Sequence, residues 1–185
     1  MTKTTARQLS RSEVWDVATR YAGQVKYSHT DFEMAYNSSR SNFYAVLDRA
    51  VIENIVDTQT VENMEKKAAR NAENKAGEAG RRRTKNHYAY LKSKRREFLL
   101  PKKDAIHMTE MYARSVYNKK TFCREHYISE QLLNRSIKKA VIENWVAESV
   151  VKQLKEKSTN QNPGAQTYKF WDELLMFREN KKNQG

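Results

Sequence analysis

The chain has 185 residues, and 35 Lys or Arg against 22 Asp or Glu give it a formal charge of +13. One cysteine, Cys123, excludes an internal disulfide and any cysteine-based metal cluster within one chain, and no apolar run approaches the length of a membrane span. Scarce Gly and Pro (5 and 2) beside abundant Ala, Glu, Lys, Arg, Asn and Gln predict an all-α protein.

Ser10 or Ser12 caps a first helix whose apolar face is Val14, Ala18, Tyr21, Ala22 and Val25. The first eight residues lack the apolar core of a signal peptide, so the expectation is a soluble cytoplasmic protein. A short helix from Thr30 to Tyr36 points Phe32 inward, and a break follows at Asn37-Ser38. Ser39 then sits where a helix N-cap is needed, and the helix behind it is expected to run through Ala50 to Val56. A further helix begins at Thr58 or Thr60 and reaches about Arg70, with Val61 and Met64 as its stripe. Residues 71 to 80 read as a frayed helix or a linker, ended by Gly77 and Gly80.

The pentapeptide Ala-Val-Ile-Glu-Asn occurs at Ala50 to Asn54 and again at Ala140 to Asn144. At that offset of 90, residues 27 to 68 overlay 117 to 158 without a gap and with 11 identities in 42 positions. The first helix has its counterpart from Pro101 onward at an offset of 91, pairing Tyr21 with Tyr112. One unit is therefore duplicated, and two copies of one fold on one chain suit a repeating ligand. Glu53, Asn54, Glu143 and Asn144 read as structural contacts or solvent-facing residues, because acidic side chains this far along the helix point away from a phosphate backbone.

Between the copies the charge is concentrated. From Glu62 to Asp104 there are 14 Lys or Arg and 6 acids, including the run Arg81-Arg82-Arg83 with Lys85 and the run Lys92-Ser93-Lys94-Arg95-Arg96. A polyanion is the economical partner for such a segment, either as an extended minor-groove arm or as a helix tracking phosphates. After the second copy, residues 158 to 166 form a loop, and a last helix carries Phe170, Trp171, Leu174, Leu175 and Phe177 on a wide apolar face. That face packs either on the second copy or on another chain. The expected domains are 10–70, a basic connector 71–99, 100–158 and a C-terminal helix 166–181.

A short helix, a tight turn and a serine-capped second helix make a helix-turn-helix. Tyr36 to Tyr44 and His126 to Asn134 resemble the turn and recognition-helix start of bacterial helix-turn-helix regulators, with Phe43 or Leu133 as the residue that locks the second helix to the first. Asn37 suits the turn, whereas Tyr127 departs from the pattern, since a left-handed backbone is less easy for it. The resemblance covers about 20 residues per copy. It implies tandem DNA-binding domains, with a recognition helix entering the major groove in each.

On that geometry the base-contacting candidates are Ser39, Arg40, Ser41 and Tyr44 in the first copy. In the second they are Ser129, Gln131, Asn134, Arg135 and Lys138, with Glu130 able to accept from cytosine. Backbone or minor-groove candidates are Arg49, Lys119, Lys120, Lys139, Arg81, Arg82, Arg83, Lys85, Lys92, Lys94, Arg95 and Arg96. The two base-reading sets differ, so a compound site without palindromy is expected. Four histidines show no metal-ligand spacing, and neither a phosphate-binding Gly-rich loop nor a Gly-x-Ser-x-Gly elbow is present. The expectation is a non-enzyme without cofactor: a sequence-specific double-stranded DNA-binding regulator of transcription, of bacterial, phage or mobile-element type and nucleoid-associated. RNA polymerase, or self-association through the C-terminal helix, would be its further contacts. The alternatives are a packaging or replication-origin factor like a terminase small subunit, and an RNA-binding accessory protein in which Tyr88 and Tyr90 stack bases.

Overall fold

Helix boundaries fall where the chain supplies a cap or a left-handed residue. The computed structural model describes residue 5, residues 7–161 and residues 163–183, and among them every regular element is a helix. No helix of the described residues is long and apolar enough to cross a membrane. Contacts divide the chain into unit 1, residues up to Phe98 together with Tyr127–Ser129, and unit 2, Leu99–His126 with Glu130 onward.

In unit 1, α1 (Arg11–Gly23) starts with a capping box between Ser10 and Glu13. α2 (His29–Tyr36) is capped by Ser28 with Asp31, one residue ahead of the expected Thr30. Asn37, at φ 45°, turns the chain left-handed, and Ser39 caps α3 (Arg40–Ile52) by accepting from the Asn42 N–H at 3.3 Å. Phe32, Phe43, Val46, Val51 and Ile55 close the core against Val14, Val17 and Tyr21 of α1. In unit 2, α5 (Lys102–Arg114), α6 (Lys119–Glu125) and α7 (Glu130–Ile142) repeat this arrangement, with Asn118 capping α6. Pro101 occupies the cap of α5, one position earlier than expected.

α3 stops four residues short of the expected Val56 and α7 stops at the matching Ile142, and the shared pentapeptide is the reason. Asn54 and Asn144 both adopt φ 54°, a conformation open to Asn at modest cost. The Ile55 N–H then bonds the Ala50 carbonyl at 3.1 Å and the Asn54 N–H bonds Val51 at 3.2 Å. Trp145 to Ala140 at 2.9 Å and Asn144 to Val141 at 3.2 Å reproduce the pattern. These are Schellman caps, so the duplicated motif is a helix stop.

A pairing of lysine and tyrosine, repeated in both units, ties the fourth helices to the first. Lys67 Nζ donates to the carbonyls of Gln24 and Tyr27 and lies 4.5 Å from the Tyr21 ring centroid. Lys157 Nζ does the same at Tyr112 and Ser115, 4.3 Å from the Tyr112 ring. Burial pushes both ammonium pKa values down.

The segment expected as a connector is instead part of unit 1. α4 (Thr58–Glu97) breaks at Gly77, whose φ of 61° and ψ of −145° suit glycine alone. Residues 78–97 then fold back along 58–76, as the Lys92–Glu65 and Arg81–Glu73 ion pairs show. At Gly80 a Cβ would meet the Ala72 carbonyl oxygen at 2.7 Å, so the limbs touch where only glycine fits. Tyr88 and Leu91 of the second limb are buried in the core. Linkers do not bury such side chains.

Unit 2 builds the same hairpin from α8 (Glu148–Gln161) and α9 (Ala165–Lys182). Here the offset drops from 90 to 83: Thr84, Tyr88, Leu91 and Arg95 correspond to Thr167, Trp171, Leu174 and Arg178. The basic connector and the C-terminal helix are thus the same fifth helix of the repeat. Trp171 and Leu174 are buried against unit 2, while Phe170 and Phe177 are about half exposed. Replacing Gly77 with Ala should destabilise the chain by about 1 to 3 kcal/mol, read as a lower urea midpoint, whereas Gly23→Ala, at a position with open space, should cost less than about 1 kcal/mol.

Candidate nucleic-acid interface

The first turns of α3 and α7 carry most of the base-reading candidates, and several of these reach solvent. Arg40 and Ser41 are exposed, and Tyr44 is 46% exposed with the Arg40 guanidinium 6.0 Å from its ring centroid. Ser39 is half-buried and serves as the cap. In unit 2, Glu130, Gln131, Asn134 and Lys138 are exposed. Arg135 is half-buried and folds along its own helix, donating from Nε to the Gln131 carbonyl at 3.3 Å, and desolvation lowers its pKa.

Ser129 is not a base-contacting residue. It is 3% exposed, its N–H donates to the Asn54 carbonyl at 2.8 Å, and its hydroxyl donates to Asn54 Oδ1 at 3.1 Å. Tyr127 takes the left-handed turn at φ 51° despite its side chain. Its carbonyl accepts from Arg11 at 3.1 Å and its ring lies 5.8 Å from Trp15, contacts that offset the strain.

The cations expected on the DNA backbone divide by environment. Arg49 is removed from that set, because it pairs with Glu53 at 3.0 Å and donates to the Leu9 carbonyl at 2.7 Å. Arg95 is removed as well: it is 5% exposed and donates to the Val56 carbonyl at 2.9 Å. Arg178 repeats that bond to Val146 at 3.1 Å. Lys92 pairs with Glu65, Lys94 with Glu97 at 2.9 Å and Arg81 with Glu73. Arg82, Arg83, Lys85, Arg96, Lys120 and Lys139 are exposed. Lys139 stands 5.4 Å from the Trp145 ring centroid. All of 81–96 is helical, which excludes the extended minor-groove arm. Tyr88 is buried and cannot stack a base, while Tyr90 is 57% exposed.

Two equivalent clefts flank α3 and α7, one inside each unit. In unit 1 a cleft of about 450 Å³ brings Arg40 and Tyr44 together with Lys75, Arg83 and His87, and His87 Nε2 lies 2.9 Å from Asp48 Oδ1. In unit 2 a cleft of about 390 Å³ is lined by Lys119, Asn134, Arg135, Lys138 and Phe170. Tyr44 and Asn134, Asp48 and Lys138, and His87 and Phe170 occupy matching places. The fifth helix therefore runs beside α3 in unit 1 and α7 in unit 2. It leaves the first turn of each, Arg40 with Ser41 and Glu130 with Gln131, exposed. Lys75 and His87 were missed in the sequence because the segment holding them does not look like part of the motif.

Among the described residues no cluster of three His, Cys, Asp or Glu is placed to hold a metal. Cys123 is buried, and desolvation with the nearby Glu130 pushes its thiol up to about 12. No family model matches this chain, and neither a characterised protein nor a solved structure is detectably similar to it.

Truncating Arg95 to Ala leaves the Val56 carbonyl without that donor, so it should cost about 1 to 3 kcal/mol in chemical unfolding. The exposed neighbour Arg96→Ala should stay within about 0.5 kcal/mol of the parent.

Proposed function

We propose that this chain is a sequence-specific double-stranded DNA-binding protein that regulates transcription by occupying its site, reading DNA with the first turns of α3 and α7. The observation that carries the reading is the exposure of Arg40 and Ser41 at one helix start and of Gln131 and Asn134 at the equivalent start in the second unit. Arginine can contact guanine with two hydrogen bonds, and Gln or Asn can do so with adenine. The two sets differ, so each unit reads a different sequence. Exposed cations on the second limb of α4, Arg82, Arg83 and Lys85, supply phosphate contacts and salt-sensitive affinity.

A packaging or replication-initiation role is the second reading. It is favoured by Asn144 Oδ1, which is shielded from solvent without a hydrogen bond and which a donor from a second copy could satisfy.

Selection of bound duplexes from a random pool tests the first reading. Arg40→Ala should relax one part of the selected site and cost about 1 to 3 kcal/mol, and Asn134→Ala should relax a different part. Uniform weakening with unchanged preference would reduce both to backbone contacts. Replacing Arg82 and Arg83 together should lower the log-log salt slope by roughly 2 without altering preference.

A further inference from the structure

Asn54 and Asn144 are the same residue of the repeat with the same φ and the same cap bonds, yet their surroundings differ. Asn54 is fully buried. Its carbonyl and Oδ1 accept from the N–H and hydroxyl of Ser129, and its Nδ2 donates to the Arg95 carbonyl at 2.8 Å. Arg11 holds the Tyr127 carbonyl beside it. The segment Tyr127–Ser129 thus completes unit 1 by bringing two donors to two acceptors.

Unit 2 has the same acceptor pair. Asn144 is only partly buried, its Oδ1 is shielded from solvent without a hydrogen bond, and no N–H among the described residues donates to its carbonyl. At the offset of 91 Lys102 stands in the place of Arg11, and Ile106 in that of Trp15. A shielded acceptor without a donor costs about 1 to 3 kcal/mol, which a docked segment would recover.

We infer that this surface receives the segment Asn37–Ser39 of a second copy of the chain. Those residues align with Tyr127–Ser129 at the offset of 90. Asn37 already holds the left-handed turn, at φ 45° against 51° for Tyr127. Ser39 is half-buried rather than buried, and its N–H donates to no acceptor among the described residues. Its hydroxyl accepts from Asn42 and is 2.9 Å from the Ser41 hydroxyl, which leaves its proton free to turn toward Asn144. Unit 1 thus offers two donors and unit 2 two acceptors. Each copy has one donor segment and one acceptor surface, so association is head-to-tail and continues until a ring closes. Ser39 then serves this contact instead of a base. The inference is independent of DNA binding, which uses Arg40, Gln131 and Asn134.

Light scattering behind size exclusion, run without DNA over roughly a hundredfold range of protein concentration, tests it. The parent chain should grow in mass with concentration. Asn144→Gly keeps the left-handed turn and removes the amide, and Ser39→Asp keeps the cap but replaces the hydroxyl donor with an acceptor. Each variant alone should associate at least about tenfold more weakly. Mixed in equal amounts they should form a one-to-one dimer that grows no further, because each retains the half of the contact that the other lacks. A parent that stays monomeric, association that neither substitution changes, or a mixture that stays monomeric would overturn the inference. Should either variant lose its helical signal, Ser39→Cys and Asn144→Cys chains can be mixed under oxidation. Disulfide-linked heterodimers are then expected, and their absence would equally reject it.

Discussion

A left-handed asparagine at the end of the third helix organises each unit. By stopping the helix it frees the carbonyl of the following valine, and an arginine from the fifth helix reaches in to bond that carbonyl: Arg95 to Val56, Arg178 to Val146. This bond draws the fifth helix onto the core. Tyr88 and Leu91, or Trp171 and Leu174, then fill the space beside it. The helix stop gives each buried guanidinium one carbonyl acceptor, and Arg178 also pairs with Glu148 at 3.2 Å.

That construction uses cations for architecture. Arg95, Arg49, Lys67 and Lys157 all donate to main-chain carbonyls within their units. What remains for a polyanion is a smaller set, gathered on the exposed side of the second limb of α4 and around the two clefts. A charge of +13 is therefore a poor guide to how many phosphates the protein can contact. The same fifth helix packs beside α3 in unit 1 and α7 in unit 2, so the first turn is the part of each left most open to solvent.

The helical class, the Ser39 cap and the duplication were legible because each depends on local signals: propensity, a short hydroxyl ahead of an apolar run, a repeated pentapeptide. Asn37 was legible for the same reason. The left-handed Tyr127 was not, since its conformation is held by Arg11 and Trp15, more than a hundred residues away in sequence. The fifth helix escaped notice because the repeat offset changes by seven residues at the hairpin turn. A highly charged segment also hides its two or three buried residues within a polar average.

By itself the sequence determined that the chain is helical, that it contains one unit twice, and where the helices behind Ser39 and Ser129 begin. Local hydrogen bonding and apolar spacing suffice for those. Only the tertiary structure decided which of the basic residues are structural, that the connector and the terminal helix are one element, and that Asn54 is satisfied where Asn144 is not. Those outcomes depend on which carbonyl a distant side chain reaches, and that is a property of packing that no local pattern encodes.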